Sequence, residues 1–265
     1  MYTPFQLAKK YLHYYCTASN GKGHGTHSPF VFDFITKVLK DNKQYDCYAK
    51  IEAIRQQLRY DASSIEVQDF GAGNNFIKPG KRVVKAIANS SLKSPKFAQL
   101  LYRMVQYYQP QNIVELGTSF GITTAYLASA NTAAKVYTCE GATQIEKIAQ
   151  HNFNRLHLNN ITQVPGDFTQ TLPKLLDTLK KINFAFIDGN HREKPTLQYF
   201  QQLLAYSTNS TILIFDDIHW SKEMENAWSA IQQHPAVTLT IDLFFIGIVC
   251  INNTIKAKQH FILRY

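Results

Sequence analysis

Residues 112–121 read Asn112-Ile-Val-Glu-Leu-Gly-Thr-Ser-Phe-Gly121, and Ile122-Thr-Thr-Ala-Tyr-Leu-Ala-Ser-Ala130 follows directly. The apolar-rich run ending at Gly117 has the length of a buried strand, and the run after Gly121 has the length of a helix. A strand that turns through glycines into a helix is where open α/β sheets bind nucleotide-like ligands. Glycine lets the backbone approach a ligand, and the helix N-terminus offers N–H groups that have no helical partner. A tight βα turn with no ligand would use the same residues, so the turn alone leaves both readings open.

Downstream, Lys135 to Cys139, Thr162 to Val164, Asn183 to Ile187 and Thr211 to Phe215 read as further short strands separated by helix-length segments. Such alternation predicts βα units and a buried, mostly parallel sheet. Val237 to Asp242 and Phe244 to Ile251 lie too close together for a helical crossover, which predicts a terminal antiparallel hairpin and a reversed edge pair. Upstream, Ser94-Pro95 opens a helix with Pro at its first position. Amphipathic spacing predicts helices over Pro4 to Cys16, Pro29 to Lys40 and Gln44 to Leu58, with a flexible connection over Asn20 to Ser28. Asp61 to Gly80 carries turn chemistry, including Asp69-Phe-Gly-Ala-Gly-Asn-Asn75. The expected division is a helical subdomain over 1–93 and an α/β domain over 94–265.

Length and composition agree with a globular protein. At 265 residues the chain can bury a large core, and 45% hydrophobic with 18% charged residues excludes disorder as a description of the whole. The formal charge of +9 favours anionic ligands, but the Lys and Arg residues form no long run, so nucleic acid is a minority reading. Cys16, Cys47, Cys139 and Cys250 lack metal or redox spacing, and a reducing cytosol fits them. Leu243 to Ile251, the longest apolar stretch, falls far short of the roughly 20 residues of a membrane-spanning helix.

Val136-Tyr-Thr-Cys-Glu140 places a carboxylate at the tip of the next strand, where it can grip both ribose hydroxyls of a nucleoside cofactor. The turn lacks the G-x-G-x-x-G that seats a pyrophosphate, and no Tyr is followed four residues later by Lys. Methyl transfer therefore gains over hydride transfer.

With these residues in place, Ser94 to Ile251 resembles the class I S-adenosylmethionine-dependent methyltransferases, and more narrowly the catechol and caffeoyl-CoA O-methyltransferase type. The resemblance rests on Ser94-Pro-Lys-Phe-Ala-Gln-Leu-Leu101 and on Ile113 to Ala128. It implies a three-layer Rossmann-like fold with a seven-stranded sheet in order 3-2-1-4-5-7-6, the last strand antiparallel. It also implies that Glu115, Gly117, Thr118, Ser119 and Gly121 surround the methionine part of S-adenosylmethionine, that Glu140 takes the ribose, and that Asp167 lies beside the adenine, with Asp188 at the rim. Asp167 could equally cap the helix that follows.

Asp188, Asp216 and Asp217 match the positions that hold a divalent ion in the metal-dependent members, where carboxylate oxygens suit Mg²⁺, Mn²⁺ or Ca²⁺. His191 stands three residues after Asp188, where the catechol-type enzymes carry a Lys that deprotonates the acceptor, and an imidazole can serve as that base. The implied reaction is methyl transfer to a small hydroxyl-bearing acceptor. RNA or protein methylation, a non-catalytic Rossmann-like module and a nicotinamide-dependent oxidoreductase are the alternatives. The aromatic N-terminal helices, with His24 and His27, can cover an acceptor pocket, form a homodimer face or simply pack.

Overall fold

Local signals start the chain. Thr3 and Gln6 form a reciprocal capping box ahead of Pro4, which fixes the start of helix α1 (Pro4–Thr17). The structure, a computed structural model, describes residues 1–19, 28–67, 80–252, 255 and 257–265. His24, His27 and the Asp69 to Asn75 loop lie outside the described residues.

The single helix expected over 29–40 is instead α2 (Pro29–Asp33) followed by a π-helical turn over Phe34–Leu39, whose wider winding accompanies burial of Phe34, Ile35 and Val38. Then come α3 (Asp46–Tyr60), strands β1 (Ser64–Val67) and β2 (Gly80–Val83), and helix α4 (Val84–Ser91). The antiparallel β1–β2 pair is a correction to the turn-only reading of Asp61 to Gly80. Both strands are short and largely exposed; Ser64-Ile-Glu-Val67 alternates over only four residues, and Gly80-Lys-Arg-Val83 does not alternate.

Helix α5 (Pro95–Tyr108) starts as expected at Ser94-Pro95, although the Ser94 side chain makes no cap hydrogen bond. The βα alternation follows: β3 (Asn112–Leu116), α6 (Ile122–Ala130), β4 (Lys135–Glu140), α7 (Thr143–Arg155), β5 (Ile161–Pro165), α8 (Phe168–Leu179), β6 (Ile182–Ile187), α9 (Glu193–Ala205) and β7 (Ser207–Asp216). The chain ends with α10 (Lys222–Gln233), β8 (Leu239–Asp242), β9 (Ile246–Cys250) and β10 (Gln259–Ile262).

Residues 40–175 form one compact unit, and residues 1–39 with 176–265 form another. The expected boundary near residue 93 falls between α4 and α5, inside the first of these. In that unit β3, β4 and β5 are parallel neighbours, with Ile113, Val114 and Leu116 fully buried. Helix α6 is apolar nearly all round and buried accordingly, which anchors the turn that precedes it. In the second unit β6 and β7 are parallel, β9 runs antiparallel to both β7 and β8, and β10 pairs in parallel with β8.

The strand order is β10-β8-β9-β7-β6-β3-β4-β5. Numbered from β3, the first seven strands have the expected order 3-2-1-4-5-7-6, and β10 adds an eighth beyond them. β9 is the antiparallel strand that the resemblance implies, whereas the reversed edge pair expected over residues 237–251 needs correcting, because β8 is not reversed and β10 covers it at the edge. Gln259-His-Phe-Ile262 has no apolar run to announce a strand, and its residues alternate between half-buried and exposed.

Within this second unit α1 packs on the β8–β9 turn through Tyr11 and Tyr14 against Phe244, at ring separations of 5.1 and 5.3 Å. Among the described residues no helix is long and apolar enough to cross a membrane.

Candidate functional site

Three left-handed residues shape the turn between β3 and α6: Gly117 at φ 105°, Ser119 at φ 47° and Gly121 at φ 77°. At Gly117 a side chain would be strained by the backbone alone. At Gly121 packing adds a second reason, since a Cβ would stand 2.4 Å from Cε1 of Phe153 on α7. The Gly117 and Thr118 amides donate to the Cys139 carbonyl at 3.1 and 3.2 Å, and the Gly121 amide donates to Thr118 at 2.9 Å. Asn152 donates to the Phe120 carbonyl at 3.0 Å and pins the turn from α7.

Glu140, at the tip of β4, clamps the same turn. Its Oε2 accepts from the Ser119 amide and its Oε1 from the Ala142 amide, both at 2.9 Å. Burial raises its pKa, and these backbone bonds oppose the rise. Each carboxylate oxygen keeps acceptor capacity for a further donor such as a ribose hydroxyl. The amides of Gly117, Thr118, Ser119 and Gly121 all bond within the protein, so an anionic ligand group at this turn is left with the first-turn N–H groups of α6.

Glu115 is fully buried on β3, and its Oε2 accepts from Thr124 at 2.5 Å and from Thr138 at 2.6 Å. The Thr138 hydroxyl has one proton, already given to Glu115, so in its 2.6 Å contact with Thr118 it is Thr118 that donates. A hydroxyl relay thus runs from the turn to Glu115. Among the described residues its buried Oε1 has no hydrogen-bond partner. Burial pushes the carboxyl pKa up to about 7, against the pull of the two threonine bonds. The relay gave no sequence signal: its threonines sit on three different elements.

Asp167 is exposed, and its Oδ1 accepts from the Thr169 amide at 2.7 Å, which caps α8. This is the capping role that the sequence also allowed.

In the second unit β6 delivers Asp188 and His191, and β7 delivers Asp216. Their ligating atoms lie within 4.8 Å of one another, with His191 Nε2 3.5 Å from Asp188 Oδ1. Asp216 is 1% exposed, while Asp188 and His191 are half-buried. Asp217, placed with them by the sequence, does not belong to this cluster; its backbone is left-handed at φ 53° and its amide donates to the Phe245 carbonyl at 2.7 Å.

Beside it Leu7, Asp217, His219, Trp220, Phe244 and Phe245 line a small aromatic pocket. His219 holds this wall, with Nε2 2.8 Å from Asp242 and Nδ1 3.3 Å from Glu225, which also pairs with Lys10 at 2.8 Å. Burial pulls the His219 pKa down, but Asp242 and then Glu225 outweigh it and the net shift is upward. Sequence reading missed this network, because Lys10, His219, Glu225 and Asp242 share no local motif.

Comparison with known proteins agrees with this geometry. Residues 114–218 match the methyltransferase-domain family Methyltransf_24. A catechol O-methyltransferase of Niastella koreensis is 30% identical over 150 residues, 56% of this chain and 64% of that protein, so the match spans less than two thirds of the relative's length. The O-methyltransferase of Bacillus cereus in complex with S-adenosylhomocysteine superposes with a TM-score of 0.56 at 19% identity, covering 80% of this chain and 93% of the other. An O-methyltransferase of Streptomyces achromogenes in complex with S-adenosylmethionine gives 0.56 at 14%, covering 80% and 92%. Residues 114–218 thus match a methyltransferase-domain family, and the fold is the Rossmann-like one of these O-methyltransferase structures.

Proposed function

We propose that this protein transfers the methyl group of S-adenosylmethionine to a hydroxyl oxygen of a small acceptor, with a divalent cation assisting. The observation that carries the proposal is the β3–α6 turn: a left-handed, glycine-bearing turn clamped by Glu140, with a fully buried Glu115 behind it whose Oε1 has no partner among the described residues. These residues fit the cofactor, whose ammonium and ribose hydroxyls are donors and whose carboxylate suits a helix N-terminus. When bound, it supplies an electrophilic methyl on a sulfonium.

The chain's own residues then do the remaining work. Glu140 accepts from the ribose hydroxyls, while Gly117, Thr118, Ser119 and Gly121 set the path of the backbone around the methionine portion. Asp167 is retained as the residue beside the adenine. In the second unit Asp188 and Asp216 bring negative charge to a site that suits a cation, and His191 stands either to hold that cation or to take the acceptor's proton. Positioning of the two reactants and exclusion of water contribute most of the rate in such a transfer.

The test is an acceptor screen with labelled S-adenosylmethionine and the full chain, over catechols, phenols and aliphatic alcohols. Labelled product from catechols or phenols, absent with alcohols, is expected. Label transferred to none of them, or to RNA or protein alone, would contradict the proposal.

A further inference from the structure

The Asp188, His191 and Asp216 cluster differs from an all-carboxylate cation site in one respect: its third donor is an imidazole nitrogen. An octahedral or tetrahedral ion with bonds of about 2.1 Å sets neighbouring donors about 3.0–3.4 Å apart. His191 Nε2 and Asp188 Oδ1 stand 3.5 Å apart, and all three donors fall within 4.8 Å. Small side-chain rotations suffice to close the set around one ion.

Electrostatics argue the same way. Two carboxylates this close repel when both are ionised, and Asp216 is 1% exposed, where water screens poorly. A divalent charge at their centre turns that repulsion into attraction. The identity of the third donor then sets the class of ion. Mg²⁺ and Ca²⁺ are hard cations that take oxygen ligands, whereas imidazole suits first-row transition ions and Zn²⁺.

We infer that His191 is a ligand, forming with Asp188 and Asp216 a one-nitrogen, two-carboxylate site that selects a first-row transition ion over Mg²⁺ and Ca²⁺. This rests on the methyltransferase reading for its role in the reaction but not for its existence. The residue three positions after Asp188 is then occupied by the ion and does not act as the general base. Asp217, outside the cluster, contributes no ligand.

The test uses the full chain, stripped by chelation, titrated with Co²⁺ and followed by visible absorption and calorimetry, with Mg²⁺ titrated separately. Wild type is compared with His191→Ala, His191→Gln and Asp217→Asn, and each variant's folding is checked by its thermal melt. The expected result is one Co²⁺ per chain, bound at least about tenfold more tightly than Mg²⁺. Both His191 variants should lose about tenfold or more in Co²⁺ affinity with little change for Mg²⁺, and Asp217→Asn should bind both ions as wild type does. Preference for Mg²⁺, no ion bound, or wild-type Co²⁺ binding in a folded His191 variant would overturn the inference. A parallel titration with S-adenosylhomocysteine separates the two readings, since loss of cofactor binding with Co²⁺ binding intact would sink only the methyltransferase role.

Discussion

Burial holds the Glu115 carboxyl at a pKa of about 7, where an unfolded Glu titrates near about 4.3. Below the lower value both states are protonated and the group contributes nothing to the pH dependence. Between the two values the unfolded chain loses its proton and the folded chain keeps it, so stability falls as pH rises, and the loss levels off above about 7. Glu115→Gln should remove this slope. In urea unfolding of the ligand-free protein the variant is expected to gain about 3–4 kcal/mol over wild type at pH 8, relative to their difference at pH 4. Parallel stability curves for the two proteins would show that Glu115 is not held protonated. The residue was named from the sequence only through the family resemblance, and its environment was not legible. Thr124 and Thr138 lie 9 and 23 residues away and meet it only because α6 and β4 both pack on β3.

At the scale of elements, the approach of α6 to α7 is set at Gly121. A glycine here reads in sequence as room for a ligand, and the structure adds a packing reason, since Phe153 fills the space a Cβ would need. Gly121→Ala should therefore cost about 1–4 kcal/mol, from a left-handed backbone and from overpacking together. Denaturant unfolding of a double-mutant cycle separates the two: Gly121→Ala should cost less in a Phe153→Leu background, where the ring is gone. Equal costs in both backgrounds would leave backbone strain as the whole effect. The start of α5, announced by Ser94-Pro95, and strands β3 to β7, announced by short apolar runs, were legible to within a few residues. The π-helical turn at Phe34–Leu39 and the short β1, β2 and β10 were not, because their stability comes from neighbours and not from their own pattern.

For the whole molecule, regular βα alternation and a closing hairpin led to a mostly parallel sheet, the family resemblance implied the order of seven strands with the last one reversed, and the eighth strand needed the structure. The donors were legible in type and place, since each acid ends a strand. Which of them cluster was not: Asp216 and Asp217 are adjacent in sequence, and only backbone geometry at the end of β7 takes Asp216 into the cluster and leaves Asp217 out. The central claim is the cofactor class, and calorimetric titration with S-adenosylhomocysteine and with NAD tests it most directly, on wild type and on Glu140→Ala. The expected result is micromolar binding of S-adenosylhomocysteine, weakened at least about tenfold in Glu140→Ala, with no heat from NAD. Binding of NAD with none of S-adenosylhomocysteine would contradict it.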